Sequence, residues 1–493
     1  MATIPNSQNF PQFSQADIIS EMKKVSNIDI SDFRFYPAIQ NRPNEIIKIE
    51  SEENGIVLTF GTVARKALLS YTHETSLHLY KPADATVDTL YLHINIWTDD
   101  IFRVVFSKEK KISNPFSGLP ENARMLIAKP EKVEFTLDET ENKITLTTSK
   151  TEITVDKKTT RISAKFIDGK EFYSQKKQDF RTGDIHDLAL ADSDNDYACF
   201  EALELESDEI IYGLGERFDS LTRNGRTVDF HNKDAVGTTS RRAYINIPFY
   251  LSTKGYGLFL NSGAKTDWQI ATTDLSALQF AVLDSQLDYF VIGGKTPKDI
   301  IKGYCSLTGF SKLPPLWSFG LWMSRNSYVS WDVVDDIAKK VRENDIPCDV
   351  LHLDTAWFNR DWNCDLKFSE ERFPNPKENI ERYKKDGFKI TLWQYNFIPP
   401  NDDNEHYHEA VKYGYLSKDK DGNPYQLPET CQGSWVKDVT IDFSNPDACK
   451  WYADKIKELI ILGACAIKTD FGEGIAEDAV YQNIDGKHFH NLY

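Results

Sequence analysis

The stretch ACAIKTDFGE at residues 464–473 decides how the second half of the chain folds. It begins as a short apolar run, which is typical of a buried strand. The strand-like run ends at Asp470, and a turn is predicted to follow. Gly472 and Gly474 follow, and glycine allows the sharp turn that such a strand end needs. Barrel enzymes place their chemistry at the carboxyl ends of buried strands. An aspartate that only caps a loop is the alternative, and the rest of the sequence decides between the two.

The region from Pro315 to Tyr493 alternates between strand-like and helix-like segments. Strands are predicted at 318–323, 348–353, 388–393 and 464–470, and helices are predicted to begin near Ser330, Pro376 and Pro446. This alternation predicts a parallel sheet covered by helices. Each strand ends at a polar or aromatic cluster, and four such ends at one rim fit a (β/α)8 barrel. A doubly wound sheet is the alternative, but no glycine-rich phosphate loop follows the first strand.

The pattern upstream is that of a β-sandwich. Short runs of strand-like sequence recur at close spacing, at 46–49, 56–60, 90–96, 102–106, 132–137, 143–148, 152–155, 212–218, 243–253, 256–261 and 289–292. A short helix is also predicted at 16–25. Thr296 followed by Pro297 predicts the start of a helix that runs to about Leu307, and Pro314 and Pro315 mark a second break.

We therefore predict a multidomain chain. An N-terminal β-sandwich occupies 1–295, a helical linker occupies 296–313, and the first half of a (β/α)8 TIM barrel, about four β/α units, occupies 314–493. Four strands cannot close an eight-stranded barrel. This predicts an exposed sheet edge and apolar helix faces without partners. The expectation is that the chain is the N-terminal part of a longer protein.

The bulk composition disfavours several classes of function. A formal net charge of −17 opposes binding to nucleic acid or to an anionic membrane. The seven cysteines are odd in number and form no CxxC pair, which indicates free thiols and argues against a zinc site. His488 and His490 are predicted to be surface residues rather than metal ligands. The sequence shows no secretory signal or membrane span, so we expect a cytoplasmic protein that needs no cofactor.

Asp354 and Asp470 are the candidate catalytic pair because both stand at the ends of predicted strands. A retaining glycosidase needs one carboxylate to attack the anomeric carbon and a second group to protonate the leaving oxygen. Lys468 would keep a nucleophilic carboxylate ionised through its charge. Four tryptophans near these positions either suit the apolar faces of sugars or fill the core: Trp322, Trp357, Trp393 and Trp435.

The segment KTDFGE at 468–473 resembles the nucleophile motif of glycoside hydrolase family 31, specifically its α-xylosidase branch. Four further segments resemble that family in the same order: YGLGERF at 212–218, NIPFY at 246–250, WSFGLW at 317–322 and DFSNPDACKWYADK at 442–455. The similarity covers roughly 201–493 and is weak before that. Because the motifs occur in order, the chain is identified as a member of this family.

The resemblance implies roles for particular residues. Asp470 would be the catalytic nucleophile, and Glu473 would support its loop. Asp354 would bind the hydroxyls of the sugar in the −1 subsite. The other residues assigned to sugar binding are Trp393 and Lys468 in that subsite, Thr355 beside the C5 position, Tyr328 near the pentose, and Asp234, which would reach over the barrel mouth from the sandwich. The acid/base residue of the family comes from later barrel strands.

The resemblance implies a retaining α-glycosidase, most directly an α-xylosidase that releases terminal α-xylosyl residues from oligosaccharides through a covalent Asp470 intermediate. Thr355 and Ala356 are small and leave room for the hydroxymethyl group of a hexose, so an α-glucosidase is the alternative. A non-catalytic carbohydrate-binding remnant is the third interpretation, because residues 1–493 alone are expected to lack the acid/base residue. The expected partner is an oligosaccharide, and assembly of identical chains is left open.

Overall fold

The computed structural model describes residues 39–68, 79–176, 188–193, 196–235, 242–272, 274–427 and 438–493. The helix predicted at 16–25 and the candidate Trp435 lie outside these ranges. Among the helices in these ranges, none is long and apolar enough to cross a membrane. Strands and helices are numbered below in chain order.

The N-terminal domain consists of two antiparallel sheets. Its strands are β1 (Ile39–Glu52), β2 (Gly55–Leu68), β3 (Leu79–Ala83), β4 (Thr89–Thr98), β5 (Ile101–Ser107), β6 (Thr136–Glu139), β7 (Lys143–Thr147), β8 (Thr151–Asp156), β9 (Ile162–Phe166), β10 (Glu171–Ser174), β11 (Ala189–Ser193), β12 (Asp196–Glu204), β13 (Ile211–Gly213), β14 (Arg226–Phe230), β15 (Phe249–Ser252), β16 (Tyr256–Leu260), β17 (Thr266–Ile270), β18 (Ala277–Val282) and β19 (Gln286–Gly293). The larger sheet has the order β13-β15-β16-β19-β5-β4-β2-β1-β11-β12-β18-β17-β14, with β3 beside β2. The smaller sheet has the order β10-β9-β8-β7-β6.

The two sheets share one apolar core, as the prediction of a β-sandwich requires. Leu58 and Phe106 of the larger sheet belong to the same buried cluster as Leu146 and Val155 of the smaller sheet. Along β8, buried and half-buried residues alternate, because one face of the smaller sheet points at the core. Three strands differ from their predicted bounds of 132–137, 212–218 and 243–253. In the structure the extended residues there are 136–139, 211–213 and 249–252.

Helix α1 (Pro297–Thr308) follows the sandwich at the predicted place. The hydroxyl of Thr296 accepts a hydrogen bond from the Asp299 N–H, and the Asp299 carboxylate accepts one from the Thr296 N–H. A capping box of this kind stabilises a helix start by about 1 kcal/mol. Ile300 and Leu307 are buried against the outer face of the larger sheet, in a cluster that includes Phe259. The helix is therefore attached to the sandwich.

The C-terminal region forms part of a TIM barrel, as predicted. Its elements are β20 (Trp322–Met323), α2 (Trp331–Glu343), β21 (Val350–Leu353), α3 (Pro376–Lys385), β22 (Lys389–Tyr395), β23 (Phe397–Ile398), α4 (Glu405–Tyr413), β24 (Val439–Thr440), α5 (Pro446–Leu462), β25 (Ala466–Asp470) and α6 (Gly486–Leu492). The main sheet is parallel and has the order β20-β21-β22-β25. A short antiparallel pair, β23 with β24, accompanies it.

The prediction of a strand at 318–323 was wrong over most of its length. Residues Leu316–Phe319 form a 3-10 helix, and the carbonyl of Pro315 accepts hydrogen bonds from the N–H and the hydroxyl of Ser318. Only Trp322 and Met323 pair with β21. Pro315 restricts the backbone at the start of this segment and favours a turn. The segment therefore begins as a 3-10 helix, although its apolar residues are typical of a strand.

The barrel sheet is open at both sides within the described ranges. There β20 pairs only with β21, and β25 pairs only with β22. Large apolar side chains are correspondingly exposed: Leu313 (93%), Leu316 (88%), Phe319 (71%) and Ile461 on α5 (68%). These observations agree with the expected free sheet edge and unpartnered apolar residues.

Candidate active site

Three neighbouring strands bring the predicted charged residues together. Because β21, β22 and β25 are parallel neighbours, their carboxyl ends lie at the same edge of the sheet. In the register, Trp393 on β22 stands opposite Lys468 on β25, and Tyr395 stands opposite Asp470. Side chains two residues apart on a strand share a face, which places Lys468 beside Asp470. Asp354 follows β21 directly.

Both carboxylate oxygens of Asp470 are held by neighbours. Oδ2 accepts a hydrogen bond from the indole Nε1 of Trp393 at 2.8 Å and lies 3.0 Å from Nζ of Lys468. Oδ1 accepts one from the N–H of Phe471 at 3.2 Å. The side chain of Asp470 is still 31% exposed. An oriented, accessible carboxylate beside a cation can act as a nucleophile.

Asp354 is held by a histidine and shares the lysine. Its Oδ2 lies 3.1 Å from Nε2 of His352 and 3.4 Å from Nζ of Lys468. A carboxylate only accepts, so Nε2 donates, and Nδ1 of His352 is hydrogen-bonded to the hydroxyl of Thr391 at 2.9 Å. Burial opposes ionisation, but the His352 hydrogen bond and the Lys468 charge lower the pKa of Asp354 below its ordinary value. Lys468 thus bridges two anionic side chains.

A third acidic group, Glu473, lies in the turn after Asp470. Burial, reinforced by the charges of Asp234 and Asp470, raises the pKa of Glu473 to about 7. The hydroxyl of Tyr244 donates to Oδ1 of Asp234 at 2.7 Å, and this bond, with burial and the nearby acidic groups, raises the pKa of Tyr244 to about 12. Asp234 belongs to the sandwich domain, so the structure brings both domains to the same group of carboxylates.

We expect Glu473→Gln to raise the thermal unfolding midpoint of the 493-residue chain at pH 8 and to change it little at pH 5. Between the ordinary pKa of 4.5 and about 7, the unfolded chain ionises this carboxyl while the folded chain keeps it protonated. The folded state therefore loses stability as the pH rises through this interval, and the loss is constant above it. Glutamine does not ionise, so the variant avoids this loss in the free energy of unfolding, which is on the order of 1–3 kcal/mol.

Glu458→Gln is the matched control, because Glu458 is an exposed glutamate on α5. Its midpoint should follow that of the unmodified chain at both pH values. An equal gain for Glu473→Gln at pH 5 and pH 8 would contradict the explanation, because it would mean that the gain does not come from ionisation.

The remaining predicted residues take different positions. Trp393 is 1% exposed and reaches the site through its indole N–H. Thr355 is buried, and its hydroxyl is hydrogen-bonded to that of Ser327 at 2.9 Å. The ring of Tyr328 is buried in the barrel core, and its hydroxyl donates to the carbonyl of Met323. The roles of Thr355 and Tyr328 in sugar binding stay predictions.

Two residues of the site were not predicted. His352 stands two positions before Asp354 on a strand, and the period of two that places them on one face could have identified it. Phe471 contributes its backbone N–H from a left-handed conformation with φ of 59°. A non-glycine residue in that conformation costs roughly 1–2 kcal/mol, and no pattern in the sequence marks it. Trp357, considered above for sugar stacking, is fully buried and donates to the carbonyl of Trp393.

The expectation that His488 and His490 lie on the surface was wrong. Nε2 of His488 lies 3.0 Å from Oδ2 of Asp284, and the ring of His490 stacks on that of His231 with centroids 4.0 Å apart. Helix α6 docks on the sandwich domain, which buries His490 and half-buries His488. This is a long-range contact that local patterns do not reveal. In the part of the chain that the structure describes, no group of three or more His, Cys, Asp or Glu side chains could hold a metal ion.

Two family profiles match this chain, in the order of its domains. The profile described as the glycosyl hydrolase 31 N-terminal galactose mutarotase-like domain matches residues 91–268. The profile described as the glycosyl hydrolases family 31 TIM-barrel domain matches residues 311–493. The second match contains Asp354, Lys468, Asp470 and Glu473.

The chain is similar in sequence to proteins described as α-xylosidases and α-glucosidases. The α-xylosidase XylQ of Lactiplantibacillus pentosus is 37% identical over 297 residues, which are 59% of this chain and 38% of that protein. The α-glucosidase 2 of Bacillus thermoamyloliquefaciens is 29% identical over 395 residues, 78% of this chain and 47% of that protein. The chain therefore spans less than half the length of these relatives.

Solved structures show the same fold at lower identity. A family 31 dextranase of Flavobacterium johnsoniae, complexed with glucose, has a TM-score of 0.74 at 20% identity and matches 91% of this chain and 51% of its own. A family 31 α-xylosidase from a soil metagenome, complexed with xylose, has a TM-score of 0.70 at 18% identity, over 90% of this chain and 61% of its own. Because both domain profiles of the family are matched in order, the chain belongs to glycoside hydrolase family 31.

Proposed function

We propose that this chain carries the nucleophile half of a retaining α-glycosidase that acts through a covalent sugar–Asp470 intermediate. The observation that carries the proposal is the carboxylate of Asp470, which is held by Lys468 and Trp393 at a strand end and is partly exposed. By complete enzyme we mean residues 1–493 joined to the remaining strands of the barrel, for instance by fusing the corresponding half of the Lactiplantibacillus pentosus relative.

The proposed reaction has two displacements at the anomeric carbon. An oxygen of Asp470 bonds to C1 while the bond from C1 to the glycosidic oxygen breaks, and a general acid protonates that oxygen. Water then attacks C1, breaks the ester to Asp470, and returns a proton to the same group. We infer that the general acid comes from the remaining barrel strands. Lys468 and Trp393 hold the Asp470 carboxylate in place for the attack.

The proposed substrate is an oligosaccharide with a terminal α-xylosyl residue. Two relatives described as α-xylosidases, at 37% and 34% identity, support this choice. An α-glucosidase is the second candidate, because a relative with that description aligns over 78% of the chain. The proposed chemistry needs no metal or cofactor, and a cytoplasmic location, suggested by the sequence, belongs to the proposal.

The two candidates are separated by the substrate preference of the complete enzyme. We expect kcat/KM on p-nitrophenyl α-xyloside to exceed that on the α-glucoside by about tenfold or more, since one hydroxymethyl group in a pocket accounts for roughly 1–3 kcal/mol of discrimination. A higher kcat/KM on the glucoside would favour the α-glucosidase. Ala356→Phe is unsuitable as a test of this preference, because Ala356 is buried and a phenylalanine would overpack the core.

We expect Asp354→Asn to lower kcat/KM of the complete enzyme by roughly tenfold or more. The anionic side chain would accept charge-assisted hydrogen bonds from sugar hydroxyls, each contributing roughly 1.5–3 kcal/mol. The amide also loses the charge attraction to Lys468 and one of the two acceptor oxygens that His352 and the Thr355 N–H use. Steady-state kinetics on the preferred p-nitrophenyl glycoside measures the loss.

Asp361→Asn is the control for this substitution, because Asp361 is an exposed aspartate in the following loop. It should leave kcat/KM unchanged. If Asp354→Asn had no larger effect than Asp361→Asn, Asp354 would be a loop cap and not part of the sugar site.

A further inference from the structure

Helix α6 holds the sandwich loop that carries Asp234. The side chain of Asn491 accepts a hydrogen bond from the Asn232 N–H at 2.8 Å. Its amide group donates to the carbonyls of Phe230 at 3.3 Å and Gly263 at 3.1 Å. One side chain therefore fixes the end of β14 and the first residues of the loop at 231–235.

The neighbouring His490 ties the same loop to the barrel. Its two ring nitrogens lie 2.5 Å from the carbonyl oxygen of Ile475 and 2.9 Å from that of Asn232. Its ring stacks on His231, whose Nε2 lies 3.0 Å from Oε1 of Glu477. Ile475 and Glu477 follow the Glu473 turn directly. The loop and the turn after Asp470 are thus joined through buried and half-buried groups.

The other end of the loop at 231–235 carries Asp234, which lies near the carboxylates of Asp470 and Glu473. The N–H of Lys233 donates to the carbonyl of Ala243 at 3.0 Å, and Asp234 accepts from the hydroxyl of Tyr244. Asp234 and Asp470 both act on Glu473 through their charges. The place of Asp234 relative to Asp470 therefore depends on contacts at both ends of a short segment.

We propose that Asn491 and His490 are positioning residues, which set the place of Asp234 over Asp470 by holding the backbone of residues 230–232. The proposal rests on the proposed function, because it takes Asp234 to be part of the sugar site. A displacement of about 1 Å far from the chemistry can cost as much as 10²-fold in rate. Release of this loop is therefore expected to lower kcat/KM by about tenfold or more.

The first test measures the loop in the 493-residue chain, without any substrate. Asn491→Leu keeps a similar volume but removes all three hydrogen bonds of the side chain. Amide hydrogen exchange at Asn232 and Lys233 should become about tenfold faster or more, as expected for local opening. His488→Gln is the control, because His488 lies on the same helix as Asn491. Its ring contacts Asp284 and Asp485 and forms no hydrogen bond with the loop at 231–235.

The expected result is faster exchange in Asn491→Leu and unchanged exchange at Asn232 in His488→Gln. Equal exchange in Asn491→Leu and the unmodified chain would overturn the proposal. So would an equal acceleration by His488→Gln, which would mean that docking of the helix alone matters. If Asn491→Leu does not fold, His490→Gln, which interrupts the bridge between Ile475 and Asn232, takes its place in the same comparison.

The second test is a double-mutant cycle with Asp234→Ala in the complete enzyme. If Asn491 acts through Asp234, Asn491→Leu should lower kcat/KM by about tenfold or more alone, but by less than about twofold when Asp234 is already alanine. Equal losses in both backgrounds would overturn the proposal, since a merely structural role affects both alike. A complete enzyme without any glycosidase activity would contradict the proposed function instead, and the exchange measurements would still decide the inference.

Discussion

Replacing Asp470 by alanine is expected to lower kcat/KM of the complete enzyme by roughly 10⁴-fold or more, the scale seen when a nucleophile is removed. Asp470 is the carboxylate that Trp393 and Lys468 orient at the end of β25. Asp354 cannot replace it, because it stands at the end of a different strand, β21, and not at the position of the Asp470 carboxylate. Kinetics on the p-nitrophenyl glycoside with the better turnover measures the loss.

Asp470→Gly with added azide is the matched experiment. The small anion can enter the space left by the carboxylate and attack C1, so activity should be partly restored and a glycosyl azide should form. Asp470→Ala and Asp470→Gly should unfold at similar temperatures, which separates loss of chemistry from loss of structure. Full activity in Asp470→Ala would show that another group is the nucleophile.

Residues 1–493 alone are expected not to turn over α-glycosides at a measurable rate. General acid assistance to the leaving group contributes typically 10²–10⁴-fold, and we infer that the general acid comes from the remaining barrel strands. Glu473 follows the nucleophile by one tight turn, so it cannot also stand on the far side of the sugar. The open edges of β20 and β25 add a second obstacle, because the barrel is not closed around the site.

This prediction is checked by assaying the 493-residue chain and the complete enzyme side by side, with limited proteolysis of both. The sandwich domain should resist the protease, while cleavage should begin in the exposed segment around Leu313 and Leu316. Turnover by the 493-residue chain close to that of the complete enzyme, together with a monodisperse and protease-resistant barrel segment, would contradict it.

The sequence predicted the site best where chemistry follows directly from strand periodicity. Lys468 and Asp470 share a face because they are two residues apart on a strand. The same rule could have identified His352 beside Asp354, but His352 was not predicted. The start of α1 was also predictable, because Thr296, Pro297 and Asp299 form a local capping box. In these cases the deciding interactions lie within a few residues of each other.

The predictions failed where distant contacts or unusual backbone decide the structure. Helix α4 carries only two buried residues, His406 and Ala410, so it has almost no apolar periodicity to detect. His488 and His490 look like surface residues until α6 docks on the sandwich. The left-handed backbone of Phe471, which aims an N–H at Asp470, is equally invisible in the sequence.

Trapping the covalent intermediate tests the central claim most directly. The complete enzyme is incubated with a xylosyl fluoride deactivated by a second fluorine on the sugar ring, so that the ester forms faster than it is hydrolysed. The protein is then digested, and the labelled peptide is sequenced by mass spectrometry. The account predicts one sugar residue attached to Asp470, and no label in Asp470→Ala. Label on any other carboxylate, or continued turnover without a trapped ester, would contradict it.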